Sequence, residues 1–210
     1  QMSGWLIHLV RGIFENIGSV QESMETIAKP HDLPDAPDAV PLQVAQGGVR
    51  FEHVRFNYGK SQGLFENLDL EIRPGEKIGL VGPSGAGKST LVNLLLRLYP
   101  LDSGRILIDG QDIARVTQES LRSQIGMVTQ DNSLLHRSIG DNIAYGKIGA
   151  TQAEIAEAAR RAAAHDFVLG LTDQDGRKGF ESRVGERGVK LSGGQRQRIA
   201  IARVLLKDAP

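Results

Sequence analysis

Gly82-Pro83-Ser84-Gly85-Ala86-Gly87-Lys88-Ser89 is the stretch on which the reading of this chain turns. It fits G-x-x-x-x-G-K-[ST], the Walker A pattern of a phosphate-cradling loop. Glycines let the backbone curl so that several N–H groups converge on one anion, and a helix that opens at the end of the loop adds the positive end of its dipole. Lys88 can then reach the β- and γ-phosphates of a nucleotide, the Ser89 hydroxyl can ligate Mg²⁺, and Thr90 falls near the α-phosphate. The flanks suit this reading: residues 77–81 are a short apolar run predicted as a strand, and residues 88–98 are strongly helical. A glycine-rich turn without a ligand needs no such strand–loop–helix setting.

Before the loop, residues 49–58 and 68–72 read as strands. After it, 105–108 is a strand closed by the Asp109-Gly110 turn signal, and 125–129 is another. From about 138 to 171 the signals are mostly helical, with Thr151 and Glu154 forming a capping-box pattern ahead of an Ala-rich helix. Residues 172–190 read as loop, and a last helix is predicted from 193 to 207. The chain is mixed α/β, with a helical block inserted after the strand at 125–129.

The N-terminal part differs. Leu6, Val10, Ile13, Ile17, Val20, Met24 and Ile27 recur at alternating steps of 4 and 3, a helical stripe that predicts one amphipathic helix over about 4–28. Pro30, Pro34, Pro37 and Pro41, then Gly47-Gly48, mark a semi-rigid linker over 29–48. Such a helix could pack on the domain as an ordinary surface helix; the proline linker favours an element outside it. The chain opens on Gln1 rather than Met, which points to a start further upstream.

Composition excludes several functions. With 25 basic and 25 acidic residues the net charge is zero, so no nucleic-acid partner held by bulk positive charge is expected. The absence of cysteine removes disulfide scaffolds, zinc–cysteine sites, iron–sulfur clusters and thiol nucleophiles. No run approaches the ~18–20 apolar residues of a membrane span. Glycine stands out: 25 of 210 residues, where ~7 % is usual, implies many turns or a backbone that something must approach closely.

Leu191-Ser192-Gly193-Gly194-Gln195 is a second concentration of glycine. Read locally, Ser192 and Gln195 form a capping box that opens the last helix. A cap does not require two adjacent glycines, which weaken a first helical turn by up to ~1 kcal/mol each. Glycines there permit close approach, and with Ser192 they make a second anion site at a helix N-terminus.

Downstream of a Walker A loop, LSGGQ at 191–195 resembles the signature of ATP-binding cassette (ABC) ATPases. Other positions are similar. Tyr58 matches the aromatic that stacks on adenine in that family, and Gln130 matches the Q-loop glutamine that contacts Mg²⁺ and the attacking water. Glu186-Arg187-Gly188 resembles the short loop that faces the transmembrane domain of exporters. Taken singly, Tyr58 could be an edge-strand aromatic, Gln130 a loop residue, and Glu186 with Arg187 a solvated pair worth under ~1 kcal/mol. Their order around the two strong motifs raises all three.

The resemblance implies an α/β fold, a P-loop NTPase ABC cassette with a β-subdomain and an inserted helical subdomain. It maps 1–28 onto the cytoplasmic end of the last transmembrane helix of a fused exporter and 29–48 onto the linker. Residues 49–210 become a partial ATP-binding domain whose helical subdomain spans about 131–190. It implies an ATP hydrolase that powers export, at the cytoplasmic face of the cell membrane. On this resemblance Lys88 and Gln130 would be the catalytic residues and Ser89 and Gln130 the Mg²⁺ ligands. Tyr58, Gly82, Pro83, Ser84, Gly85, Ala86, Gly87, Lys88, Ser89 and Thr90 would bind ATP. Ser192, Gly193, Gly194 and Gln195 would complete the site of a second cassette in a head-to-tail dimer. The implied partners are that cassette and a transmembrane domain in the same chain.

In the family a strand ending in Asp-Glu, a D-loop and a switch histidine follow the signature helix. Val204-Leu205-Leu206-Lys207-Asp208 imitates that strand, but Ile199, Ala202, Val204 and Leu206 continue the helix, and Ala209 stands where the Glu belongs. His8, His31, His53, His136 and His165 all precede the signature. The chain is therefore expected to be a C-terminally truncated cassette with an incomplete core, able to bind ATP weakly and unable to turn it over alone. Two alternatives are a soluble ABC ATPase of DNA repair or translation, and a nucleotide-binding module without turnover. The first is disfavoured by the N-terminal helix, the 186–188 loop and the lack of a long coiled-coil insertion.

Overall fold

The computed structural model describes residues 11–12, 14–21, 24, 33–59, 63–131, 133–185 and 188–210. Its contacts divide the chain into two units, Gln1–Pro34 and Asp35–Pro210. In the first, residues 11–12, 14–21 and 24 are helical (α1, 14–21), with Arg11 and Glu15 paired at 2.9 Å across one turn. Ile17, Val20 and Met24 of the predicted stripe are exposed on it. Leu6, Val10, Ile13 and Ile27 lie outside the described residues.

The second unit opens with a four-stranded antiparallel sheet. β1 (Val49–Phe56) pairs with β2 (Phe65–Ile72) on one side and β3 (Ser103–Ile108) on the other, and β3 pairs with the short β4 (Gln111–Asp112), giving the order β2-β1-β3-β4. Strict alternation would bury every second residue of β1, yet the buried set is Phe51, Val54 and Phe56. A bulge at His53 (φ 50) inserts the extra residue and restores the apolar face. Its N–H donates to Asp69 at 2.8 Å. Opposite it stands Gly104, where a Cβ would lie 2.4 Å from the His53 carbonyl oxygen, so only glycine lets β3 pass. The Asp109-Gly110 turn has both residues at positive φ (47 and 78), the two-residue hairpin geometry that matches strand twist.

Asp109 does more than turn the chain. Its carboxylate accepts N–H bonds from Ala45, Gln46, Gly47 and Gly48 at 2.8–3.1 Å. Those donors, Gln46 and Gly47 foremost, hold its pKa down to about 2. Residues 35–48, read from the sequence as linker, are accordingly laid along the domain. Asp35 takes the Arg97 guanidinium at 3.2 Å, and the buried Leu42 donates its N–H to Ser120 at 2.8 Å.

Two apolar cores follow. The first packs the sheet on α2 (Lys88–Leu95) and α3 (Gln118–Ser123) through Phe51, Val54, Leu91, Leu94, Ile106 and Leu121. The second joins α4 (Ile139–Ala144), α5 (Gln152–Arg161), α6 (His165–Leu169) and α7 (Gly193–Lys207) around Ile139, Ile143, Ile155, Val168, Ile199 and Ala202. Ala158 and Ala159, both buried, keep α5 slim where it meets the other helices. The Thr151/Glu154 capping box is formed, and Ser138 and Asp141 form another on α4. Lys147 together with Thr151 holds Glu154 near a pKa of about 2. The loop after α6 is tied by Asp173, whose enclosed carboxylate accepts the N–H of Arg183 at 3.0 Å and the Arg177 guanidinium at 2.8 Å, keeping its pKa at about 2.

Two predicted strands are not strands. Residues 77–81 and 125–129 form no regular element and join no ladder. A strand is defined by its neighbours, and among the described residues these runs have none. Their apolar side chains show it: Val81 is 99 % exposed, and Ile78, Leu80, Met127 and Val128 are also exposed. The helix predicted over 88–98 ends at Leu95 because Arg97 turns left-handed (φ 51). The last helix has its predicted bounds. From its end, Lys207 donates to the carbonyls of Arg122 (2.5 Å) and Ile125 (2.8 Å), tying α7 to the segment that leads to Gln130.

Candidate functional site

The loop 82–89 ends at Gly87, which caps α2 with φ 87 and offers no side-chain acceptor to the helix's first N–H groups. Gly85 is also left-handed (φ 85). These conformations are open to glycine and strained for other residues. At Gly87 packing adds a second reason, because a Cβ would sit 2.9 Å from the Phe65 ring. The result is a set of unpaired helix-start donors with no side chain in front of them, a ready anion site.

A cleft of about 980 Å³ opens above this loop. It is lined by Ser84, Gly85, Gly87, Lys88, Ser89 and Thr90 of the loop and helix, by Tyr58 from the end of β1, and by Gln130 from 43 residues past the loop's last glycine. Residues far apart in sequence are thus brought to one wall. Gly82, Pro83 and Ala86 form the back of the loop rather than its lining; the Gly82 and Pro83 carbonyls accept from the Lys88 ammonium, each at 2.7 Å. The Tyr58 hydroxyl lies 2.9 Å from that of Thr90, which is buried. Gly63 and Leu64 also line the cleft. Sequence reasoning missed both, since an apolar residue just before a strand carries no signal of a site.

The other glycine motif stands apart from this cleft. Ser192 accepts the Gln195 N–H at 3.2 Å, and Gln195 accepts the Ser192 N–H at 2.9 Å, the reciprocal cap expected from the sequence. Gly193 and Gly194 have no positive φ, and a Cβ on either would meet nothing within 4 Å. Neither backbone nor packing within the chain requires glycine there. Glu186 and Arg187 of the 186–188 loop lie outside the described residues.

A Walker A loop opening α2, beside an antiparallel sheet and followed by a helical subdomain, defines a P-loop nucleotide-binding domain. The chain belongs to the ABC transporter family, which matches residues 65–210. It is 58 % identical over 209 residues to an uncharacterised ABC transporter ATP-binding protein of Haemophilus influenzae, covering 100 % of this chain and 34 % of that protein. To the ATM1-type heavy metal exporter of Novosphingobium aromaticivorans it is 46 % identical over 200 residues, covering 95 % and 32 %. The solved structure of a bacterial Atm1-family ABC exporter with ATP bound superposes with a TM-score of 0.88 at 45 % identity, covering 98 % of this chain and 35 % of that one. The chain spans about a third of the length of these relatives.

Proposed function

We propose that this chain is the ATP-binding and hydrolysing part of an ABC exporter, working at the cytoplasmic face of a cell membrane through a transmembrane domain in the same polypeptide. The observation that carries the reading is that one cleft is lined by Tyr58, by Gly85 to Thr90 except Ala86, and by Gln130. Its size suits a nucleotide, since ligand pockets run to about 300–1,000 Å³.

The residues fit both ATP and Mg²⁺. Unpaired N–H groups of α2 and the side-chain-free Gly85 and Gly87 suit a polyphosphate. Ser89 and Gln130 bring hard oxygen donors to the same cleft, as a cation held largely by phosphate oxygens needs. Bound Mg²⁺ supplies charge neutralisation on the β- and γ-phosphate oxygens. Tyr58 stacks on the base. Lys88 exchanges the Gly82 and Pro83 carbonyls for the β- and γ-phosphates. Gln130 orients the water that attacks the γ-phosphorus as the bond to the β-phosphate oxygen breaks. Positioning and charge account for most of the catalysis in such transfers.

Ser192, Gly193, Gly194 and Gln195 serve the γ-phosphate held by a second cassette, arranged head to tail. Two glycines that the chain itself does not require support that role. ATP then joins the cassettes and hydrolysis separates them, a ligand-driven shift between two states. The test is hydrolysis by the full-length protein in lipid. Lys88→Ala loses both ATP binding and turnover; Ser192→Arg keeps binding and loses turnover, because its effect falls on the partner's site. Parental turnover in either variant overturns the assignment.

A further inference from the structure

Tyr58 is held from three directions. Its ring meets that of Phe56 at 4.8 Å and 79°, and that of Tyr99 at 5.2 Å and 84°. Its hydroxyl bonds to Thr90. Such near-perpendicular aromatic pairs are a favoured geometry and fix one ring relative to the next. Phe56 is core, buried to 3 % exposure, and ends β1 two residues before Tyr58. Tyr99 comes from elsewhere, the turn that follows α2.

That turn is itself braced. Arg97 adopts φ 51, a costly conformation for a residue with a Cβ. It is paid for by a buried guanidinium that donates to the Val116 carbonyl at 2.8 Å and to Asp35 at 3.2 Å. Three residues past Tyr99 the chain reaches Asp102. The Asp102 carboxylate accepts the Asn57 N–H at 2.7 Å, and its own N–H donates to the Arg55 carbonyl at 3.1 Å. The backbone on both sides of the Tyr58–Tyr99 contact is therefore clamped. Tyr99 does not line the cleft, whereas Tyr58 does and remains 46 % exposed.

We propose that Tyr99 is a positioning residue of the base subsite: it sets the orientation of the Tyr58 ring, so that the exposed part of that ring is presented to the purine before the nucleotide arrives. Tyr99 acts through Tyr58 and touches no part of the ligand. A preorganised ring loses less rotamer freedom on stacking, which raises affinity without a new ligand contact. This inference rests on the reading of Tyr58 as the base-stacking residue.

The test uses the full-length protein and two probes, ATP and inorganic tripolyphosphate, titrated by calorimetry. Tyr99→Leu weakens ATP binding about three- to tenfold, the range of one aromatic pair. It leaves tripolyphosphate affinity unchanged, which also reports an intact loop and fold. Tyr99→Phe keeps the ring and stays within about twofold of the parent for both probes. Tyr99→Met supplies a second non-aromatic variant should Leu not fold. In a Tyr58→Ala background, Tyr99→Leu has no further effect on ATP. Equal weakening of both probes, or unchanged ATP affinity in Tyr99→Leu while Tyr58→Ala loses it, overturns the role of Tyr99 and leaves Tyr58 as the stacking residue. Unchanged ATP affinity in Tyr58→Ala itself overturns the stacking reading, and this inference with it.

Discussion

The Lys88 ammonium sits 2.7 Å from the carbonyl oxygen of Gly82, six residues before it and on the other side of the loop. The cation is thus folded back on the loop that presents it, and a nucleotide has to win it from two carbonyls. Phosphate oxygens, being charged, accept more strongly than carbonyls. Lys88→Ala removes that gain and is expected to lower ATP affinity by about 100-fold or more, the scale of two bonds to a charged group. Calorimetry with ATP checks this; unchanged affinity removes the loop from the binding site.

Gly87 and Gly85 separate strain from collision. Both have φ near 85–87, but only at Gly87 would a Cβ strike the Phe65 ring. Gly85→Ala is expected to cost about 1 kcal/mol of stability through backbone strain alone. Gly87→Ala adds the displacement of Phe65 and is expected to cost about twice that, with loss of ATP binding. Urea unfolding of the two variants side by side reads the difference.

Ile199 belongs to α7 four residues after its N-terminal capping box and is fully buried in the helical core. Ile199→Ala should destabilise by about 2–5 kcal/mol, as methylene loss and a cavity add together. Ile148, wholly exposed, is the control, and Ile148→Ala should fall within about 0.5 kcal/mol of the parent. A similar loss at both positions would mean that α7 is not packed as described.

Acid should loosen three carboxylate ties. Asp109, Glu154 and Asp173 each have folded pKa values of about 2, below the roughly 3.9–4.3 of an unfolded chain. Because these values are depressed on folding, their contribution is fully present above about pH 4 and is lost as pH falls from there toward 2. Asp173→Asn should therefore be destabilising at pH 6 and much less so near pH 2, and urea midpoints at the two pH values test it. A penalty that does not shrink in acid points to the lost geometry of the loop rather than to charge.

Residues 1–210 expressed by themselves are expected to bind ATP and to release phosphate no faster than background in the presence of Mg²⁺. The runs 77–81 and 125–129, which flank the loop and lead to Gln130, find no sheet partner among the described residues. If Gln130 orients the attacking water as proposed, a segment without a sheet partner does not hold it to the accuracy that in-line attack requires. Robust Mg²⁺-dependent turnover by this stretch would sink the claim.

Local chemistry explains which parts were legible from the sequence. The caps at Thr151 and Ser192, the Asp109-Gly110 turn and the helix 193–207 depend on residues within a turn of one another, so their spacing alone specifies them. The Walker A loop is of the same kind, since Gly85 and Gly87 answer left-handed turns of their own backbone. The two failed strands mark the opposite case. Apolar β-type runs at 77–81 and 125–129 state a preference, but a ladder also needs a neighbour, which no local pattern supplies. The docking of residues 35–48 was equally invisible, because it depends on Asp109 sixty-odd positions away.

By itself, the sequence determined that this protein has two glycine-rich helix starts, one of them followed by a lysine and a serine suited to a nucleotide. Those are properties of short segments, settled by backbone sterics and hydrogen-bonding reach. Only the tertiary structure decided that Tyr58, the loop and Gln130 share one cleft while Ser192 stands away from it, and that Tyr99 leans on Tyr58. The reason is that such contacts are made by two cores folding against the chain's own turns, and packing across long sequence separations leaves no periodic trace in the residues it joins.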